Sequence, residues 1–392
     1  MKGERSMNGS CNICKNKFEG PLYESPDDFS ITTMNKLVPG KTRVYYCSFC
    51  GHLQTGELPN LKDYYAHEYE INLLGEDDDQ IYKVVDGRPV FRAEHQADVL
   101  SRKVAWFPGC RVLDYGCAKA PTLKKVVEKY PSIEPFLFDV TDKYVAFWRR
   151  FPKKPSWSVH EPDASWAGTL DIVLSFYALE HVSDLHGALA NVKSLLKPGG
   201  LFYFIVPNVY ANIADFIVAD HVNHFSPSSL RELLVRGGFD EIDVDGASHD
   251  AAFVVTARLG TDRGGLPAKK RLDEKDLSGK AREMAQYWSG FSRRVREFEA
   301  GMKPTDFAAI YGAGFYGNFI ASVLANLQKV LCFVDQNPHL HGSELCEKKV
   351  LFPPELPPHV THVIVGLNPQ KARCIIDSIE SWRERDLTYF FL

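Results

Sequence analysis

The segment Arg111-Val112-Leu113-Asp114-Tyr115-Gly116-Cys117-Ala118-Lys119-Ala120 limits the fold of these 392 residues more than any other stretch. It reads as a buried strand that ends in a turn of small residues and opens a helix from Thr122 to Lys129. Such a turn lifts bare backbone N–H groups to a ligand at the carboxyl end of a first parallel strand. A second apolar strand, Phe136-Leu137-Phe138-Asp139, ends in an acid, the usual partner of a ribose diol. An α/β domain that holds a ribose-bearing ligand is the expectation.

Further along, the strand Leu170 to Phe176 leads into Leu179-Glu180-His181-Val182. A helix closed by Lys197-Pro198-Gly199-Gly200 follows, then the strand Leu201 to Val206. The stretch His224-Phe225-Ser226, Leu230, Leu233-Leu234, Gly237-Gly238-Phe239 precedes paired late strands, Glu241 to Val244 and Ala251 to Ala257. In this order and spacing, residues 108 to 260 resemble the class I S-adenosylmethionine (SAM) methyltransferases. The resemblance implies a Rossmann-like sheet with SAM against Asp114, Gly116, Cys117 and Ala118 and its ribose on Asp139. Asp163 and Ala164, at the end of the third strand, are expected to border the adenine.

Two segments flank that domain, with boundaries expected at 72 and 262. Residues 1 to 72 are polar and turn-rich, but they carry Cys11-Asn12-Ile13-Cys14 and Cys47-Ser48-Phe49-Cys50-Gly51. Two such knuckles offer four thiolates to one tetrahedral zinc, which would supply folding free energy to a segment with little core of its own. Four thiolates leave no open position, so the zinc is expected to be structural. Residues 73 to 107 read as a lead-in, with an acidic turn at Gly75 to Asp79 and helical periodicity from Val90 to Trp106. Residues 263 to 392 read as a helical arm (Glu274 to Phe298) followed by a Rossmann-like βαβ unit. There the strand Phe307 to Tyr311 enters Gly312-Ala313-Gly314-Phe315-Tyr316-Gly317, and the strand Val330 to Val334 ends at Asp335. This loop meets the requirements of a dinucleotide fingerprint and keeps an NAD(P)-dependent oxidoreductase open as an alternative. A non-catalytic assembly module is another.

Methyl transfer requires an acceptor atom held close to the donor and relieved of its proton. Candidates for that work lie past the fourth and fifth strands: His181, Asp220, His221, Asn223 and His224. Of these, His221 is expected to be the base, and His224 a packing residue ahead of the helix cap Ser226. Tyr64, Tyr65 and Tyr69 lie where the cysteine segment would meet the catalytic domain and are candidates for a substrate pocket. The order of four-cysteine segment, SAM domain and small Rossmann-like domain resembles the sugar C-methyltransferases, which methylate C3 of a nucleotide-linked 4-keto sugar. Cys11, Cys14, Cys47 and Cys50 match that family's zinc ligands, and His181 and His221 match two of its histidines. Asp220 stands where the family has glutamate. The family's SAM turn reads Gly-x-Asn-Asp-Gly, whereas here it reads Gly116-Cys117-Ala118-Lys119-Ala120. The resemblance implies that His221 takes the C3 proton and that His181 or a tyrosine stabilises the enolate; Asp220 is a further catalytic candidate, and Tyr64, Tyr65 and Asn223 are candidates for contact with the sugar. Methylation of a sugar oxygen or nitrogen, or of a similar polar metabolite, is the alternative within the class.

A hydrophobic share of 45%, charged residues at 24% and a net charge of −4 describe a globular protein without a basic footprint for nucleic acid or anionic lipid. No apolar run approaches membrane-spanning length. Reduced, paired cysteines and the absence of an apolar leader make a cytoplasmic protein the expectation.

Overall fold

The computed structural model describes residues 9–58, 64, 79, 81–85, 88–260 and 274–392. Its centre is a seven-stranded sheet: β1 (Arg111–Tyr115), β2 (Glu134–Asp139), β3 (Ser156–Val159), β4 (Leu170–Phe176), β5 (Leu196–Pro207), β6 (Phe239–Asp245) and β7 (Ala252–Leu259). The inner strands are almost continuously buried, as Val112-Leu113 and Phe202 to Val206 illustrate. Runs of this kind mark a parallel sheet covered on both faces. The helices Leu185–Leu195 and Pro227–Gly237 pack on one face, and Arg92–Lys103 and Pro121–Lys129 on the other.

The strand order is β3-β2-β1-β4-β5-β7-β6, with β7 antiparallel to both β5 and β6. β1 and β4 run parallel, and the order in which successive strands are laid down reverses between them; the crevice beyond the carboxyl ends at such a switch point is where ligands bind. Two boundaries differ from expectation. Strand β5 begins at Leu196 and takes in Lys197 to Gly200, because Leu196 already pairs with Leu170. The third strand ends at Val159, so Asp163 and Ala164 lie beyond it. In the lead-in, a strand (Arg88–Phe91) replaces the first turn of the expected helix by pairing with Ile81–Val85.

The four-cysteine segment is not a free-standing unit. Its strands Pro21–Glu24, Arg43–Tyr46 and Leu53–Thr55 form a sheet whose fourth member is Asn223–His224, donated by the loop after β5. The cysteine cluster packs on the same core as Leu185 and Phe225, while Tyr23, Ile31 and Val44 pack with Trp288 and Phe319. The helix Glu274–Gly301 is therefore a core element and not merely a connecting arm: Trp288 and Phe291 are fully buried, and Trp288 donates to the Ile213 carbonyl. Its Arg296 and Ser292 both reach Asp27 of the cysteine segment.

A six-stranded sheet closes the described chain, parallel except for the pair Glu344–Leu345 and Lys348–Leu351. The two domain boundaries expected at 72 and 262 fall outside the described residues. Among the described residues, no helix is long and apolar enough to cross a membrane.

Candidate active site

The turn after β1 is built as a cradle. The Gly116 and Cys117 N–H groups donate to the Phe138 carbonyl at 2.9 and 3.0 Å, which pins the turn to β2. Asp139 accepts from the Ala118 and Thr141 N–H groups at 2.8 and 3.2 Å, and Trp148 Nε1 donates to the Ala118 carbonyl at 2.7 Å. Gly116 has φ +74°, and a Cβ there would sit 2.9 Å from the Ala178 Cβ, so glycine is required. Ala118 and Ala120 also take left-handed φ values of 46° and 53°, a conformation that costs a side-chain-bearing residue roughly 1–2 kcal/mol. The altered turn thus keeps the loop geometry without a final glycine. Asp114 is buried behind it, and one of its carboxyl oxygens has no hydrogen-bond partner among the described residues. Burial, with Asp139 nearby, pushes its pKa up to about 8. Burial also raises Asp139, against the pull of its backbone donors, and holds the Cys117 thiol well above its ordinary range.

Asp163 and Ala164 are exposed; the Asp163 side chain caps the short turn Ala164–Trp166 by accepting from Ser165 N–H. Neither residue sits on the end of β3, contrary to the sequence reading.

Past β4 and β5 lies a second cluster. His181 ends the turn Leu179–His181, and its Nδ1 donates to the Asp220 carbonyl at 2.9 Å. His221 stands edge-on to it, with ring centroids 4.7 Å apart. Asp215 was missed in the sequence reading. Its Oδ1 accepts from His221 Nδ1 at 2.5 Å and its Oδ2 from His224 Nδ1 at 2.9 Å. Its only signal in the sequence is an acid alone in the apolar run Ile213-Ala214-Asp215-Phe216-Ile217, a placement that demands a buried partner. Glu180 completes the group: donor atoms of Glu180, His181 and His221 lie within 4.8 Å of one another, and one Glu180 oxygen has no hydrogen-bond partner among the described residues.

The electrostatics divide the two histidines. Burial, then the adjoining His221, lowers His181 to about 4, so its ring is neutral at physiological pH. Burial would lower His221 too, but the Asp215 carboxylate, helped by Glu180 and Asp220, outweighs it and pushes the pKa up to about 9. Burial opposes the Asp215 charge, yet His221 and His224 hold that carboxyl below the usual range. Glu180 is pushed up to about 8, chiefly by burial.

Three expected site residues are placed elsewhere. The Asp220 carboxylate accepts from Thr33 N–H (2.8 Å), Thr33 Oγ1 (2.5 Å) and Tyr64 Oη (3.0 Å), so its acid fastens the cysteine segment and leaves His221 to Asp215. Tyr64 is buried in that same contact and not on an open pocket wall. Asn223 was expected at the sugar, but its polar atoms join Asn12 and His52 on one side to the Leu179 and Val182 carbonyls on the other. Tyr65 and Tyr69 lie outside the described residues.

Cys11, Cys14, Cys47 and Cys50 converge as expected, all buried and none in a disulfide. Sulfur separations are 3.7 Å for Cys11–Cys50 and 3.4 Å for Cys14–Cys47. An ion with Zn–S bonds of about 2.3 Å spaces tetrahedral sulfurs about 3.8 Å apart, so the cluster fits one.

Residues 88–244 match a family described as a methyltransferase domain. Strand order, glycine turn and match all fall on the same residues. Among solved structures, the chain resembles the CMeT domain of the citrinin polyketide synthase at 15% identity and TM-score 0.35, over 39% of this chain and 47% of that one. It also resembles the CurJ carbon methyltransferase at 14% identity and TM-score 0.35, over 42% and 54% of the two chains. A third likeness is the 1,6-didemethyltoxoflavin-N1-methyltransferase of Burkholderia thailandensis, solved with S-adenosylhomocysteine. Its figures are 19% identity, TM-score 0.34, and 43% and 78% of the two chains. The chain spans about half the length of the first two. No curated protein matches the chain by sequence.

Proposed function

We propose that the chain transfers the methyl of SAM to carbon next to a ketone in a nucleotide-activated sugar. The observation that carries this reading is the buried pair of histidines past β4 and β5, one kept charged by Asp215 and the other neutral. Two groups whose environments drive their pKa values apart make an acid and a base. Because a carbonyl can only accept, the Asp220 carbonyl fixes the proton of neutral His181 on Nδ1, and Nε2 carries the lone pair. His181 is then the base that takes the proton from carbon. The His221 imidazolium, with Nδ1 on Asp215, offers Nε2–H to the oxygen that becomes an enolate. This reverses the roles expected from the sequence, and the reason is Asp215.

SAM, when bound by Asp114, the Gly116–Ala118 turn and Asp139, supplies the electrophilic methyl. Cys11, Cys14, Cys47 and Cys50 would hold a zinc that would supply folding free energy to their segment, with no open position for chemistry. An acceptor oxygen or nitrogen would also need a base, but it would have no use for a cation beside a neighbouring carbonyl.

The pH dependence of kcat tests the assignment with a 4-keto nucleotide sugar as acceptor. Activity should be flat near neutrality and fall as His221 loses its proton through about pH 9. If His221 were the base, activity would instead rise through that range, and such a profile would reject the reversal.

A further inference from the structure

We propose that His224 and Thr55 are positioning residues for this chemistry, acting through Asp215; the inference rests on the acid–base reading above. Thr55 Oγ1 lies 2.8 Å from His224 Nε2, and His224 Nδ1 lies 2.9 Å from Asp215 Oδ2. The other Asp215 oxygen holds His221 Nδ1. A carboxylate only accepts, so both imidazoles present Nδ1–H to it from opposite sides. With Nδ1–H given to Asp215, the Nε2 of His224 is left to the Thr55 hydroxyl. All four residues are buried, Thr55 completely. With His221 on one oxygen alone, the carboxylate would turn about its last bond, and the imidazolium would turn with it. His224 removes that freedom.

Packing would be served by an apolar ring at 224, since a buried imidazole needs partners for both nitrogens. The partners here come from two different segments. Thr55 belongs to the four-cysteine segment, on the strand Leu53–Thr55 that pairs with Asn223–His224, and its N–H donates to the Val222 carbonyl at 2.9 Å. One route from the cysteine segment to His221 thus runs through the Thr55 hydroxyl, His224 and Asp215. Besides Asp215, the charged and titratable groups facing His221 are Glu180, His181, Asp220 and His224. Of these, only His224 shares the Asp215 carboxylate with it.

The test compares His224→Asn, which keeps an N–H near the Nδ1 position, with His224→Phe, which fills the space without a donor, and with Thr55→Val. Each is measured on the full chain for SAM affinity, for kcat with a 4-keto nucleotide sugar, and for the far-downfield proton signal of the His221–Asp215 hydrogen bond. His224→Phe should lower kcat about ten- to hundredfold, the scale of a misplaced catalytic group, broaden or shift the downfield signal, and leave SAM affinity within about twofold. His224→Asn should retain kcat within about threefold and keep the signal. Thr55→Val should lie between them, and it carries the test if His224→Phe does not fold. An unchanged kcat and signal in folded His224→Phe, or in Thr55→Val should that variant fail to fold, would overturn the proposal. If Asp215→Asn and His221→Ala also kept full turnover, the acid–base reading itself would fall. If those two lost turnover while His224→Phe did not, only this inference would.

Discussion

Asp215 binds two imidazoles through one buried carboxylate, which makes it the residue on which the acid–base assignment turns. Asp215→Asn removes the charge that keeps His221 protonated while conserving shape. It should lower kcat on the order of a hundredfold or more. It should also move the basic limb of the pH profile down from about 9 toward the ordinary histidine value near 6.5. A pH-rate comparison of the two proteins checks both. In the turn after β1, Asp139→Ala deletes the acceptor for Ala118 and Thr141 N–H together with the proposed ribose partner. Charge-assisted bonds contribute about 1.5–3 kcal/mol each, so SAM affinity by calorimetry should fall roughly ten- to hundredfold. His181 and His221 were legible in the sequence because both follow apolar strands whose carboxyl ends face the ligand crevice. Asp215 was not, since its partners are made by the fold of the loop between Asn212 and His224. The roles were not legible either: a histidine's pKa depends on which acid it meets, and Asp220, the neighbour in sequence, turns to Thr33 and Tyr64 instead.

Elements carry the same lesson. The turn at Gly116 was plain from its small residues, and its geometry survives two left-handed alanines because Asp139 and Trp148 hold the backbone from either side. Gly116→Val should therefore abolish SAM binding, since its side chain meets Ala178 in a φ region that a β-branched residue avoids; retention of wild-type affinity would show the cradle is misplaced. The two-residue strand Asn223–His224 could not be read at all, because nothing local favours it. It exists through pairing with Gln54 and Leu53, which lie far away in sequence. The helix Glu274–Gly301 was legible as a helix but not as a core element. Its apolar stripe of Trp288, Phe291 and Val295 declares a buried face without naming what covers it.

The whole molecule is braced by the four-cysteine segment, which fastens the residues around His221 at several points: Thr33 and Tyr64 to Asp220, Asn12 and His52 to Asn223, and Thr55 to Val222 and His224. Loss of the zinc proposed for its four cysteines should thus reach the acid–base cluster before it reaches the turn at Gly116. Cys47→Ser should lower thermal stability and turnover together while changing SAM affinity little, and metal analysis should find one zinc per chain in the parent and none in the variant. The central claim, proton removal from a carbon that then takes the methyl, is tested by one measurement. The chain is incubated with a 4-keto nucleotide sugar and SAM in deuterated water, and the product is examined by NMR for the methylated atom and for deuterium at the carbon beside the ketone in unreacted sugar. The account predicts a new carbon–carbon bond at that position, with solvent exchange there that is lost in His181→Ala. A methyl on oxygen or nitrogen, or equal transfer to a sugar without a ketone, would contradict it.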